Sequence, residues 1–221
     1  MSEIEIYSSA LCPFAQRSRL TLIEKGIPFK QIEIDLQNKP ANFLEISPYG
    51  KVPVLKHGDK RVWESAIINE YLDEAFPEPP LLPKAPIGRA QARIWINFAD
   101  TRLFATTAKL LYSQEPQTQP TVIKELTEHL LFIEREALSK ISDSEPYWLG
   151  TEFSLVDVTF YPWFEQLAVL EHFRGFQLPS GLERLNKWLS AVANRKSVRS
   201  IAKSQEFYVQ GYARLAQSRH A

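Results

Sequence analysis

The chain has 221 residues, 44% of them hydrophobic, with 26 basic and 26 acidic side chains and a formal net charge of zero. That balance argues against a nucleic-acid or anionic-membrane partner, and short basic groupings such as Arg184 with Lys187 or Arg195-Lys196 read as solvated helix faces. No apolar run approaches the ~20 residues of a spanning helix, and Met1-Ser2-Glu3-Ile4-Glu5 lacks an apolar signal core, so a cytoplasmic protein is expected. The single cysteine, Cys12, cannot close an internal disulfide, which fits a reducing compartment. No internal repeat or low-complexity tract is present.

The first ~75 residues alternate strands and helices. Ile4 and Ile6 alternate with Glu3 and Glu5 as a first strand. Cys12 to Lys25 reads as a helix stopped by Gly26. Ile32 and Ile34 mark a second strand, Pro40 to Ile46 a short helix, and Val52, Val54 and Leu55 a third strand. His57-Gly58-Asp59-Lys60 reads as a hairpin turn and Arg61 to Trp63 as the returning strand. Ser65 then opens a helix that ends before Pro77. The order is βαβαββα, which implies a mixed sheet covered by helices. Phe76 to Pro86 carries five prolines, a stiff connector. The expected organisation is an α+β domain over 1–78, a linker over 79–86 and an all-α domain over 87–221. In the latter, Ala90, Ile94 and Phe98 share a helical face, as do Val122, Leu126, Leu130 and Ile133, and Leu182, Leu185, Leu189 and Val192. No strand is expected after residue 86. Ser154-Leu155-Val156-Asp157 fits an N-capping box with Phe153 placed to staple onto Val158, a structural rather than catalytic feature.

The chemistry concentrates in Ser9-Ala10-Leu11-Cys12-Pro13-Phe14-Ala15-Gln16, between the first strand and first helix. Pro13 suits position N1, which puts Cys12 at or next to the N-cap, where the helix dipole favours an anion. A thiolate of lowered pKa is expected there. Because position 15 is alanine, an oxidised Cys12 needs an outside thiol to resolve it. Val52-Pro53-Val54 puts a proline at a strand start, where a cis bond would leave Val52 N–H and C=O for an extended ligand. Ser65 caps the next helix, where a carboxylate can bind, and Glu64 beside it can accept an ammonium. Lys39 offers an anchor for a second carboxylate.

Cys12-Pro13-Phe14-Ala15, Asn38-Lys39-Pro40, Val52-Pro53-Val54 and Glu64-Ser65, in this order, resemble the cytosolic glutathione transferases, and most of all their cysteine-type omega class. Glu70-Tyr71-Leu72-Asp73-Glu74 and Trp163-Phe164-Glu165 are also similar to that class. The resemblance spans essentially the whole chain. It implies a thioredoxin-like N-terminal domain followed by an all-α domain, with glutathione as co-substrate. By resemblance, Cys12 forms a mixed disulfide with glutathione and Phe14 lies beside the tripeptide. Lys39 holds the glycine carboxylate, Val52, next to Pro53, pairs with the cysteinyl backbone, and Glu64 and Ser65 hold the γ-glutamyl end. Leu36 lines the same groove. The family's acceptor pocket lies between the domains, and Trp163, Tyr208 and Tyr212 are candidate walls. The family is usually dimeric, so a homodimer is expected.

The implied activity is thiol transfer from glutathionyl disulfides, with dehydroascorbate reduction by a related cycle. Two alternatives stand beside it: conjugation of electrophiles, and a non-catalytic binding or regulatory protein on the same fold. Tyr7 resembles the tyrosine with which other transferase classes hydrogen-bond the glutathione thiolate for conjugation, and Ser8 and Ser9 invite the same reading, but the helix-opening position is held by Cys12, whose own thiolate would attack disulfides first. A membrane-inserting relative is disfavoured because the helix after Cys12 carries Gln16, Arg17, Arg19 and Glu24. His57, His129, His172 and His220 are dispersed, so no metal site is expected.

Overall fold

The computed structural model describes residues 3–112, 116–140 and 144–217, which excludes His220. The chain forms two compact units, Met1–Leu82 and Pro83–Ala221. The first contains β1 (Ile4–Ser8), α1 (Pro13–Glu24), β2 (Lys30–Glu33), α2 (Phe43–Ile46), β3 (Val54–His57), β4 (Lys60–Trp63) and α3 (Ser65–Ala75). The sheet order is β2-β1-β3-β4. β1 runs parallel to β2 and antiparallel to β3, which pairs with β4 through the Gly58-Asp59 turn. This is the mixed, helix-covered sheet of a thioredoxin-like domain.

Alternation in β1 and β3 sends Ile4, Ile6 and Leu55 into one core, closed by Leu22 and Ile27 and by Ile68 and Leu72 of α3. Ala15, Ile34, Phe43 and Val52 form a second cluster, against which Tyr7, Cys12 and Leu36 pack. The site is thus built on packed elements.

Several local expectations shift. β3 begins at Val54 rather than Val52, because Pro53 has no N–H to give to a ladder. The helix expected from Pro40 opens instead with a turn, closed by Phe43 N–H donating to the Pro40 carbonyl at 2.9 Å, and becomes helical only at Phe43. The proline-rich segment, expected to be stiff, is tied to α3 at its centre. Leu81 and Leu82 are buried, and the Leu81 N–H donates to Asp73 Oδ1 at 2.8 Å.

The largest surprise is α1, whose Gln16, Arg17, Ser18, Arg19 and Thr21 are all buried. The charge argument against membrane insertion therefore does not describe a wet surface. Among the described residues, no helix is long and apolar enough to cross a membrane. The burial has a pattern. Arg17 Nη1 donates to Ser65 Oγ at 3.3 Å, and eight residues on in both helices Lys25 Nζ donates to Asp73 Oδ1 at 2.8 Å. Both side chains of the second pair are almost fully enclosed. Matching steps along α1 and α3 mean that the helices run parallel, with their N-termini at the same end of the unit.

In the second unit the regular elements are α4 (Pro86–Phe98), a π-helical segment Ala99–Leu103, α5 (Phe104–Tyr112), α6 (Gln119–Glu136), α7 (Leu155–Glu165), α8 (Leu167–Arg174), α9 (Glu183–Ala193), α10 (Lys196–Ile201) and α11 (Gln205–Gln217), with 3₁₀ turns at Pro116–Thr118 and Leu138–Lys140. Among the described residues no strand follows residue 86, only an isolated bridge between Tyr147 and Gly150. Leu126, Leu130 and Ile133 are buried, as are Leu182, Leu185 and Val192. The Ala90–Ile94–Phe98 face is not the core face. Ile94 is 64% exposed, whereas Ala92 and Ile96 are buried. Phe98, on the same face as Ile94, is half-buried and stacks on Phe132 with ring centres 5.3 Å apart.

The Ser154 capping box forms as expected. Asp157 Oδ2 accepts from Ser154 N–H and Oγ at 2.8 and 2.7 Å. Its Oδ1 accepts from Trp148 N–H and Trp188 Nε1 at 2.8 and 2.7 Å. Phe153 stands edge-on to Tyr147 and under the Arg195 guanidinium, 4.0 Å from its ring centre. Arg195 and Arg184 are therefore not simply solvated: Arg195 donates to the Tyr147 hydroxyl and Arg184 to the carbonyls of Leu138 and Glu145.

Candidate active site

Cys12 is the N-cap of α1 and Pro13 opens the helix. Its Sγ donates to the Val52 carbonyl at 3.6 Å, and the bond from Val52 to Pro53 is cis. The turn into the helix is closed by Cys12 N–H donating to the Ser9 carbonyl at 3.1 Å. Beneath it, Arg19 Nη1 donates to the Ser8 hydroxyl and to the Ser9 carbonyl, at 2.9 Å to the latter. Ser8 and Ser9 are buried, so they serve this turn. Tyr7 packs in the same cluster as Cys12.

The expected lowering of the Cys12 pKa is not what this environment produces. Cys12 keeps part of its surface open, but the protein around it is dense, and burial pushes the thiol above its ordinary value. The N–H groups of Ala15 and Phe14 and the charges of Arg19 and Arg17 pull the other way without prevailing. In ligand-free protein the thiolate fraction should be small at neutral pH and rise through the alkaline range. Iodoacetamide alkylation of Cys12 should accordingly accelerate up to and beyond the pH at which a free thiol levels off. A rate already on its plateau at pH 7 would show a lowered pKa instead.

Next to Cys12 lies a cleft lined by Phe14, Ser47, Tyr49, Lys51, Val52, Pro53, Trp63, Glu64 and Ser65. Five expected contact residues, Phe14, Val52, Pro53, Glu64 and Ser65, thus meet in one place. Ser65 is the first residue of α3, and the N-cap position belongs to Glu64, at φ 67°. Ser65 therefore does not cap, because its side chain sits inside the helix boundary with Arg17 as its donor. The Glu64 side chain makes no capping bond to α3, and Glu64 and Ser65 bring the start of that helix to the cleft wall, a setting that favours an anion. The cysteine and this terminus lie at the matching ends of two parallel helices.

Leu36 packs against the same cluster as Cys12 and is not among the residues that line the cleft. Lys39 is exposed on the 35–42 loop and does not line the cleft. Lys51 does, and it was missed, although its place directly before Val52-Pro53 could have pointed to it. Trp63 was missed as well. It pairs edge-on with Tyr49, with ring centres 6.4 Å apart. Trp163, Tyr208 and Tyr212 are buried in the helical unit. Trp163 Nε1 donates to Thr107 Oγ1 at 2.7 Å, Tyr208 to Glu165, and Tyr212 to Gln166 at 3.1 Å. Core packing accounts for all three. Among the described residues no group of three or more His, Cys, Asp or Glu side chains could hold a metal ion.

Cleft, thiol and fold together have clear counterparts. The pattern described as glutathione S-transferase, N-terminal domain, matches residues 6–80, and that of the glutathione S-transferase C-terminal domain matches residues 116–191. Glutathione S-transferase U19 of Arabidopsis thaliana is 36% identical over 190 residues, 84% of this chain and 83% of that protein. Glutathione S-transferase omega-1 of Rattus norvegicus is 33% identical over 76% of this chain and 69% of its own length. The probable cytosolic glutathione S-transferase DHAR1 of Oryza sativa subsp. japonica is 32% identical over 91% and 89%. Among solved structures, a tau-class enzyme from mango, Mangifera indica, superposes with a TM-score of 0.87 at 27% identity over 97% of this chain and 98% of the other. A rice enzyme in complex with glutathione gives 0.85 at 30%, over 98% and 97%. The chain belongs to the glutathione S-transferase family. Its relatives fall in both the omega and tau classes, so omega membership does not follow from likeness alone.

Proposed function

We propose that this protein is a cysteine-type, omega-like glutathione-dependent thiol transferase acting through a mixed disulfide at Cys12. The observation that carries the reading is a thiol at the N-cap of α1, 3.6 Å from the Val52 carbonyl and beside a cleft with an uncapped helix N-terminus. A serine at that helix-opening position could only polarise a bound thiol; a cysteine can exchange with a disulfide.

In the first step the Cys12 thiolate attacks the glutathionyl sulfur of a mixed disulfide, forming Cys12–S–SG and releasing the other thiolate. A second glutathione thiolate then attacks the same bond, giving oxidised glutathione and restoring Cys12. With dehydroascorbate, the Cys12 thiol and one glutathione are oxidised to Cys12–S–SG as their two electrons and two protons reduce it to ascorbate, and a second glutathione resolves the mixed disulfide as before. Val52 N–H and C=O bind the cysteinyl backbone, Glu64 the ammonium, and Ser65 with the first N–H groups of α3 the γ-glutamyl carboxylate. Lys51, from the cleft wall, joins Lys39 as an anchor for the glycine carboxylate. Phe14 packs along the peptide. Lys51→Ala should raise the KM for glutathione by about tenfold, the loss of one charge-assisted contact, and steady-state kinetics would check it. An unchanged KM would remove Lys51 from the site.

The tau-class likeness supports electrophile conjugation as a second activity. Rates with a glutathionyl mixed disulfide, dehydroascorbate and an aryl halide, measured on one preparation, decide between them. The proposal expects the two reductions to dominate; conjugation exceeding both would overturn it. A cytosolic homodimer without nucleic-acid or membrane partners completes the reading.

A further inference from the structure

Arg17 is a fully buried cation one turn beyond Cys12, and its contacts lead to the cleft. One face of its guanidinium lies over the Phe14 ring, 4.8 Å from the centre. Its Nη1 donates to Ser65 Oγ at 3.3 Å. Phe14 and Ser65 both line the cleft, so Arg17 touches two of its walls from behind.

We infer that Arg17 is a positioning residue that presets the Ser65 hydroxyl as a donor to the γ-glutamyl α-carboxylate of glutathione; this rests on the proposed glutathione site. A serine hydroxyl has one proton and two acceptor lone pairs, and its proton rotates to suit its partners. Arg17 cannot accept a proton, so its N–H occupies a lone pair of Ser65 and turns the hydroxyl proton away from the guanidinium, leaving it for an acceptor at the α3 terminus. A donor bond into the oxygen also polarises the O–H outward, which strengthens the next bond in the chain. The fixed, planar fork of arginine suits this task better than a mobile ammonium. The Lys25–Asp73 ion pair two turns on holds the same helices in register, so the Arg17–Ser65 contact has a rigid frame.

Calorimetric binding to Cys12→Ala protein, which keeps the cleft and removes disulfide chemistry, tests this. The ligands are glutathione and γ-aminobutyryl-cysteinyl-glycine, which lacks only the α-carboxylate. Arg17→Met should weaken glutathione about tenfold, in the range of one hydrogen bond to a charged group, and leave the decarboxylated analogue unchanged. Ser65→Ala should show the same selective loss, and adding Arg17→Met to it should cost nothing further. Arg17→Lys, which keeps a donor and the charge, should recover part of the loss. Equal weakening of both ligands, or additive losses in the double variant, would overturn the inference. If Arg17→Met does not fold, Arg17→Lys and Ser65→Ala still carry the test, since neither changing the preference between the two ligands would overturn it too. Failure of the parent protein to bind glutathione at all would instead overturn the site on which the inference rests.

Discussion

Cys12→Ala is expected to lose thiol transfer by on the order of a thousand-fold or more, the scale of removing a nucleophile, while still binding glutathione. The proposed binding groups are other residues: Glu64 and Ser65 at the start of α3, and Val52, Lys51 and Phe14, all of which line the cleft. None of them can form the sulfur–sulfur bond that the cycle requires. Cys12→Ser separates the two chemistries further. It should fail in reduction, because a hydroxyl does not exchange with disulfides, yet gain conjugation, because it can donate to a bound glutathione thiolate without trapping it. Parallel rate assays with a mixed disulfide and an aryl halide would check both. Substantial reduction by Cys12→Ala would eliminate the mechanism. Conjugation carried unchanged in both variants would turn attention to Tyr7, which packs in the same cluster.

The second large effect is on stability. Asp157→Ala should cost about 3–5 kcal/mol, since four donors lose their acceptor inside a closed core and each stranded group carries a penalty of about 1–3 kcal/mol, partly relieved by relaxation. Those donors are the Ser154 N–H and hydroxyl, the Trp148 N–H and the Trp188 indole. Trp148 stacks on Phe160 with ring centres 3.9 Å apart and meets Trp188 edge-on, so the carboxylate fixes the aromatic core as well as the start of α7. Urea unfolding followed by tryptophan fluorescence would register the loss directly. At a temperature where the variant is folded, thiol transfer per molecule should stay within about twofold of the parent, since the donors to Asp157 belong to the helical unit and not to the cleft wall. A large loss of activity with undiminished stability would contradict the structural role.

What the sequence made legible was local. Alternation at Ile4 and Ile6, the Gly58-Asp59 turn and Pro13 after Cys12 each express a short-range rule, and each appears in place. Ser154 and Asp157, three residues apart, announce their own reciprocal bonds. The failures are long-range. Arg17 and Arg19 look like surface charges because nothing in α1 itself reports that α3 and the Ser8–Ser9 turn supply their partners. Ile94 and Ala92 lie on two apolar stripes of one helix, and the helix alone does not say that Ala92 is the buried one. The Cys12 pKa followed helix-terminus logic in sequence, but three-dimensional burial outweighs it. That Lys51 lines the cleft and Lys39 does not is equally hidden, because a loop lysine and a cleft lysine look alike before the chain folds.

The central claim, a single reactive sulfur that exchanges with glutathione, is tested most directly by incubating the pure protein with oxidised glutathione and recording its intact mass. One glutathionyl adduct per chain, removed by reductant and formed faster as the pH rises, is the predicted result. A protein that stays unmodified at alkaline pH, while still binding glutathione in the cleft, would contradict it and leave conjugation or plain binding as the function of the site.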